Sequence, residues 1–162
     1  MAPPVESIDR LRADPTRVRA VLATGLLDAP PDDSFDRLTA LGARLVGAPV
    51  AFLSLVDANR DFYVSHHGFD GPLATERVLT GRTFCHHILG RRDPLVIEDA
   101  ELDPTFAAIP TVASMGVRAY LGIPLIDEAG HSLGAFCAID FAPRKWSADD
   151  VALFEELASG PI

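Results

Sequence analysis

Residues 117–140 read VRAYLGIPLIDEAGHSLGAFCAID. Two apolar runs flank a short polar turn, Asp127-Glu128-Ala129-Gly130, the pattern of two strands folded back on each other. Both faces of each run are mostly apolar, so these strands are expected to be covered on both sides. Gly122, Gly134 and Ala135 interrupt the runs with missing bulk. Glycine inside a strand marks a bulge or a close approach to the backbone. A sheet centre short of side chains can leave a pocket.

Outward from this hairpin, strands are predicted over 50–56, 62–66 and 94–98, in addition to 117–126 and 132–140. The turn Asp57-Ala58-Asn59-Arg60 links the first two. Helices are predicted over 15–24, 34–46, 81–89 and 147–158. Asp14-Pro15 reads as a cap followed by proline at the first helical position, and the stripe Val18, Val21, Leu22 runs to Gly25. Ser34 is the expected cap of the next helix, with Phe35, Leu38, Leu41 and Leu45 as its buried stripe and Gly47 as its stop. Ser147 caps the last helix, with Asp149 and Asp150 in its first turn and Trp146 stapled onto Val151. Its stripe is Val151, Phe154, Leu157 and Ala158, and Gly160-Pro161 ends it. Residues 67–79 read as a loop and 105–116 as a broken, partly helical connection. Hairpin-linked strands with helices set between them predict an α+β domain: a central antiparallel sheet with helices on its faces.

At 162 residues and 48% hydrophobic composition, one domain with a sizeable core is expected over 1–162. No apolar run approaches the ~20 residues of a membrane span, and MAPPVESIDR lacks the basic and apolar regions of a secretory signal. Cys85 and Cys137 form no CxxC pair and read as reduced thiols of a cytoplasmic protein. A net charge of -9 argues against nucleic acid or an anionic membrane as partner.

The segments GLLDAPPDDSFDRLTALGARLVGAPVAFLSLVDANRDFYVSHHG (25–68), TFCHHI (83–88), PLVIEDAELDPTF (94–106), the hairpin 117–140 and WSADDVALFEELA (146–158) together resemble a GAF domain, over about 10–158. GAF domains are small-molecule sensor modules of bacterial signalling proteins, related to PAS domains, found near the N-termini of sensor kinases, cyclic-dinucleotide enzymes and serine phosphatases. The resemblance implies about five or six antiparallel strands, with the terminal helices (about 15–24 and 147–158) packed together on one face. On the other face a middle helix and connecting loops enclose a ligand cavity. It further implies a homodimer through the terminal helices, and an output domain or partner under control.

The chemistry-bearing residues give no catalytic or metal constellation. Cys85, His86 and His87 are consecutive, so on a helix they point about 100° apart and do not share a metal. They are expected to be a buried thiol beside partly exposed imidazoles. His66 and His67 diverge across a strand end, and His131 sits in a solvated turn. No local motif raises any of the five histidines to a haem ligand. Asp57, Asp99 and Asp140 follow strands, where carboxylates cap turns. A free methionine sulfoxide reductase, a GAF-like enzyme, would use Cys85. That family, however, carries a cysteine in the connection before the long hairpin, and Asp103–Gly116 has none. Cys137 lies in an apolar strand, which disfavours a thiolate. A bilin attachment cysteine is not matched either.

The expected function is therefore non-enzymatic sensing of a small molecule. The alternatives are the reductase and a dimerisation or interaction module with no ligand. Phe52, Ser54, Phe84, Cys85, Tyr120, Gly122 and Phe136 are the expected walls of a pocket of ~300–1,000 Å³. The cofactor is unknown. The ligand is left open among a cyclic nucleotide, an aromatic metabolite, haem and none.

Overall fold

The computed structural model describes residues 5–160; the predicted stop at Pro161 lies outside them. Helix α1 (Val5–Ala13) precedes α2 (Pro15–Ala23), whose N-terminus is capped by the Asp14 carboxylate accepting from the Thr16 amide at 3.3 Å. Helix α3 (Asp33–Val46) starts one residue before the expected Ser34. Its cap is Asp32, which accepts from the Ser34 and Phe35 amides at 2.8 and 3.2 Å. Gly47 closes α3 in the left-handed region, φ +67°.

Strands β1 (Val50–Val56) and β2 (Asp61–His67) follow as a hairpin. Then come α4 (Gly71–Glu76) and the two-residue β3 (Val78–Leu79), both within the segment expected to be a loop. Strand β4 (Leu95–Ile97), helix α5 (Pro110–Ser114) and the long hairpin β5 (Ala119–Ile126) and β6 (Ser132–Asp140) lead to α6 (Ala148–Ala158). The Ser147–Asp150 capping box of α6 is present, with each side chain bonded to the other's amide at 3.0 Å.

All strand pairings are antiparallel, in the order β3-β2-β1-β6-β5-β4, an α+β architecture of six strands. The first and last long strands, β1 and β6, lie side by side at the centre. Each face carries its own core. One joins Leu53, Leu121, Phe136 and Ala138 to Val21, Ala43, Val46 and Phe154 from α2, α3 and α6. The other joins Phe52, Tyr63, Tyr120 and Cys137 to the segments between strands.

Two helical readings need correction. On α3 the residues turned inward are Thr39, Gly42, Ala43 and Val46, while Leu41 and Leu45 are 40% and 52% exposed. Small residues face the sheet because the rings of Phe136 and Phe154 already fill that space; a Cβ at Gly42 would lie 3.3 Å from Phe154. The predicted helix 81–89 is instead a 3₁₀ turn, Phe84–Ile88. All five of its residues are buried, so the segment is embedded in the fold and has no solvent face for an amphipathic helix to present.

The central strands meet most closely at Gly134, where a Cβ would lie 1.9 Å from the Ser54 carbonyl oxygen. That neighbour is backbone and cannot rotate away. Gly134→Ala is therefore expected to destabilise the domain by at least about 2 kcal/mol, read as a lowered urea midpoint. An unchanged midpoint would show that the two strands separate without cost.

Candidate functional site

The face of the sheet away from α2, α3 and α6 holds a small void. Its floor is Phe52 of β1, Tyr63 of β2, Tyr120 of β5 and Ile139 of β6. Thr83, Phe84 and Cys85 bring in the 3₁₀ turn, Phe69 and Leu73 come from the entry to α4 and from α4 itself, and Thr111, Met115 and Val117 come from the connection before β5. The rings occupy most of the space. Phe52 meets Tyr63 edge-on at 5.2 Å and stacks on Phe69 at 5.4 Å; Phe84 lies flat on Tyr120 at 5.0 Å. What remains is about 30 Å³, against about 10–15 Å³ needed by one water. The expected ligand-sized pocket is thus filled largely by its own walls.

Of the seven expected wall residues, Phe52, Phe84, Cys85 and Tyr120 line the void. The other three do not. Phe136 is on the opposite face, its ring 5.0 Å from Phe154. The pairing explains why: Gly122 lies opposite Cys137, so Tyr120 and Gly122 share their face with Cys137 and Ile139, not with Phe136. Gly122 has the right face but is roofed by its own neighbour, since a Cβ there would lie 2.5 Å from the Tyr120 hydroxyl. Ser54 is fully buried beside Phe52 on β1 without reaching the void, and its Oγ has no hydrogen-bond partner among the described residues.

The 3₁₀ turn is held by a polar network that the sequence reading missed. Asp61, fully buried at the start of β2, accepts from the Thr83 hydroxyl at 2.6 Å and pairs with His86 Nε2 at 3.0 Å. The Thr83 amide, which can only donate, is 3.3 Å from His86 Nδ1. Nδ1 is therefore the acceptor and Nε2 carries the proton that it donates to Asp61. Phe84 and Cys85 lie between these anchors and are turned into the void. Asp61 was hidden because a carboxylate after a turn ordinarily faces solvent.

Three further groups cluster beneath Phe84. The Tyr120 hydroxyl is 3.0 Å from Cys137 Sγ and 3.4 Å from Cys85 Sγ, and the sulfurs are 3.8 Å apart. Burial pushes the Cys137 thiol well above its ordinary range, and Cys85 beside it adds to this. Burial likewise raises Tyr120, as it does Tyr63, where Asp61 contributes too.

The expectation of partly exposed imidazoles fails at both positions: His86 is fully buried and His87 is 2% exposed. His87 lies edge-on to Phe106 at 4.9 Å, with neither ring nitrogen bonded among the described residues. His131 is tied to Asp127 at 3.1 Å in the hairpin turn. Among the described residues no group of three His, Cys, Asp or Glu side chains is placed to hold a metal ion, and no helix is long and apolar enough to cross a membrane.

The GAF domain model matches residues 30–159. The chain belongs to the GAF domain family. It is 32% identical over 136 residues to a cyclic di-GMP phosphodiesterase of Pseudomonas aeruginosa, covering 83% of this chain but only 22% of that protein. The GAF domain of a phosphoenolpyruvate-protein phosphotransferase from Coxiella burnetii superposes with a TM-score of 0.63 at 18% identity, covering 89% of each chain. A far-red-absorbing dark state with bound biliverdin superposes with a TM-score of 0.62 at 18% identity, covering 88% of this chain and 93% of that one. At these identities the structural likenesses establish the fold. In this GAF domain the aromatic void lies beside a 3₁₀ turn pinned by a buried carboxylate.

Burial, with the charges of Arg82 and Arg91 and the neighbouring His86 adding to it, lowers the pKa of His87 from 6.5 to about 4. Between those values the unfolded chain holds the proton and the folded chain does not. Stability is therefore lost as pH falls from about 6.5 to about 4 and is level below that. The full span is about 3 kcal/mol. His87→Phe, which keeps a ring against Phe106, should remove this component: the melting temperature of wild type minus that of the variant should drop over that window. Carboxylate titration is common to both proteins and cancels in the difference. Parallel profiles would exclude His87 as the source.

Proposed function

We propose that this GAF domain is a non-enzymatic sensor of a small, mostly apolar molecule in the cytoplasm, and that it controls an output domain or partner. The observation that carries the reading is the composition of the void. Its walls are aromatic and aliphatic, and they include no Arg, Lys or His. Two of its polar side chains are already engaged, Thr83 with Asp61 and Tyr120 with the thiols. The Thr111 and Tyr63 hydroxyls make no hydrogen bond among the described residues. A cyclic nucleotide would bring a phosphate with no cation to meet it, so the chemistry favours an uncharged aromatic or aliphatic metabolite with one or two hydrogen-bonding groups.

Admission of such a ligand needs space, and α4 is the element that can give it. None of its residues is buried and its N-terminus has no side-chain cap. Leu73 and the preceding Phe69 are half-buried at the rim of the void. Outward movement of this segment widens the site without breaking a sheet pairing. The bound biliverdin of the structural neighbour supports the use of a GAF fold for ligand binding. The phosphodiesterase relative supports a place beside an output domain.

The second reading, an interaction module with no ligand, is favoured by the void of only about 30 Å³. Native mass spectrometry and an absorbance spectrum of freshly purified protein, followed by a thermal-shift screen of uncharged metabolites, separate the two. A ligand is expected. Leu73→Trp, which fills the void from its rim, should abolish binding while leaving the ligand-free melting temperature within a few degrees. Absence of any bound or stabilising compound would replace sensing with the interaction reading, and a Soret band would identify haem instead.

Self-association through the helical layer belongs to the same proposal, with a changed surface. Val21 and Phe154 are fully buried against the chain's own sheet and cannot meet a partner. Leu22 at 65% exposure, together with Leu41 and Leu45, is available. Light scattering should show a dimer weakened at least tenfold by Leu22→Glu; a monomer at every accessible concentration would remove the dimer.

A further inference from the structure

Cys85 and Cys137 stand 52 positions apart in the chain and 3.8 Å apart in space. One is in the 3₁₀ turn, the other at the centre of β6 opposite Gly122. The missing side chain at Gly122 leaves the space that the Tyr120 ring takes up, so that its hydroxyl reaches both sulfurs. Each of the three groups has one hydrogen to donate and can accept one, so the cluster satisfies itself in a fully enclosed place. The two sulfurs are not equivalent. Cys85 lines the void, whereas Cys137 is fully buried behind it.

We propose that Cys85 and Cys137 are a modification site: a dithiol that a peroxide oxidises to an intramolecular disulfide. This holds whether or not the domain binds a ligand. Hydrogen peroxide is small enough to enter the void and meet Cys85 first. The Cys85 sulfur attacks one peroxide oxygen; an S–O bond forms, the O–O bond breaks, and the departing hydroxide takes the thiol proton and leaves as water. The Cys137 sulfur then attacks the Cys85 sulfenic sulfur. The S–S bond forms, the S–O bond breaks, and the second hydroxide leaves as water with the Cys137 proton. The two thiols lose two electrons and the peroxide gains them.

Closure draws the sulfurs from 3.8 Å to the about 2.05 Å of a disulfide. The Tyr120 hydroxyl then loses the thiol hydrogen it accepted, and the 3₁₀ turn is tied covalently to the central strand. Because Phe84 stacks on Tyr120 at 5.0 Å, the change reaches the wall of the void.

The test uses the 162-residue chain. Reduced protein is exposed to graded hydrogen peroxide, denatured and alkylated with iodoacetamide. Oxidised wild type should take up no alkyl group, remain a single chain on a non-reducing gel, lose the mass of two hydrogens, and recover both alkylation sites with dithiothreitol. Its melting temperature should rise and its near-ultraviolet tyrosine signal should change. Cys137→Ser should stop at a sulfenic acid on Cys85 that dimedone traps, and Cys85→Ser should leave Cys137 at least tenfold less reactive than Cys85 is. The wild-type experiment stands alone where a variant fails to fold. Full alkylation of both cysteines at peroxide levels that oxidise glutathione, a disulfide formed only between chains, or one formed only in denaturant would each overturn the proposal.

Discussion

The fully buried carboxylate of Asp61 governs the architecture of the face that holds the void. An ionised carboxylate away from water is costly unless its oxygens are met by donors, and here both are: Thr83 bonds one oxygen and His86 the other. The two donors belong to one short segment, at its N-cap and its third residue. Satisfying the charge therefore fixes the position of the whole turn on the sheet. Phe84 and Cys85 lie between those donors and have no independent freedom. The same bonds set the imidazole tautomer, because the Thr83 amide requires an acceptor at Nδ1. Structural polarity and site geometry are one device: loss of the carboxylate would strand two buried donors and release the wall of the void together.

A second constraint comes from the centre of the sheet. Gly134 brings the backbones of β6 and β1 together, and Gly122 makes room for the Tyr120 ring along its own strand. Each glycine removes bulk for a different neighbour, one a carbonyl and the other a side chain two residues away. The consequence is asymmetric. The helix-covered face of β6 presents Phe136 to Phe154, while the other face presents Cys137 to Tyr120 and Cys85. The face that holds the void is thus the one where missing bulk admits polar atoms, and the Tyr120, Cys85 and Cys137 atoms are bonded to one another.

The fold was legible where local signals agree. The runs at 50–56, 117–126 and 132–140 combine β-branched and apolar residues with turn residues between them, and Asp14-Pro15 and Ser147 act as the caps they resemble. The site was legible only in part, for a physical reason. A strand that is apolar on both faces carries no alternation to say which residues share a face with the next strand, so Phe136 was assigned to the wrong side of the hairpin. The stripe on α3 slipped because Leu41 and Leu45 look like core residues, whereas two large rings beneath the helix leave room only for Gly42 and Ala43. Five of the thirteen wall residues come from 67–79 and 105–116, where periodicity is absent or broken. Within the first of these, Asp70-Gly71-Pro72 was a readable helix start; β3, at two residues, was too short to register.

On the sensing proposal, ligand chemistry at the void would be restricted by how little of its polarity is unspent. A bound molecule gains from burying apolar surface against Phe52, Phe84 and Tyr120, but each polar atom it brings must find a partner or lose its hydration uncompensated. Thr83 cannot turn towards a ligand without leaving Asp61. Tyr120 and Cys85 cannot without breaking the thiol cluster. Tyr63, on β2, and Thr111, on the connection before β5, are the wall side chains whose hydroxyls make no hydrogen bond among the described residues and can turn to a ligand without giving up a partner. Selectivity would then arise mainly from shape, set by rings locked through stacking, with directional contacts from Tyr63 and Thr111 alone. On the sensing proposal, such a domain would respond to occupancy by moving its least anchored wall, because the sheet is fixed by its pairings and the 3₁₀ turn by Asp61. That leaves α4, which packs over the rim without a buried residue of its own, as the part of the wall that can report whether the space beneath it is filled.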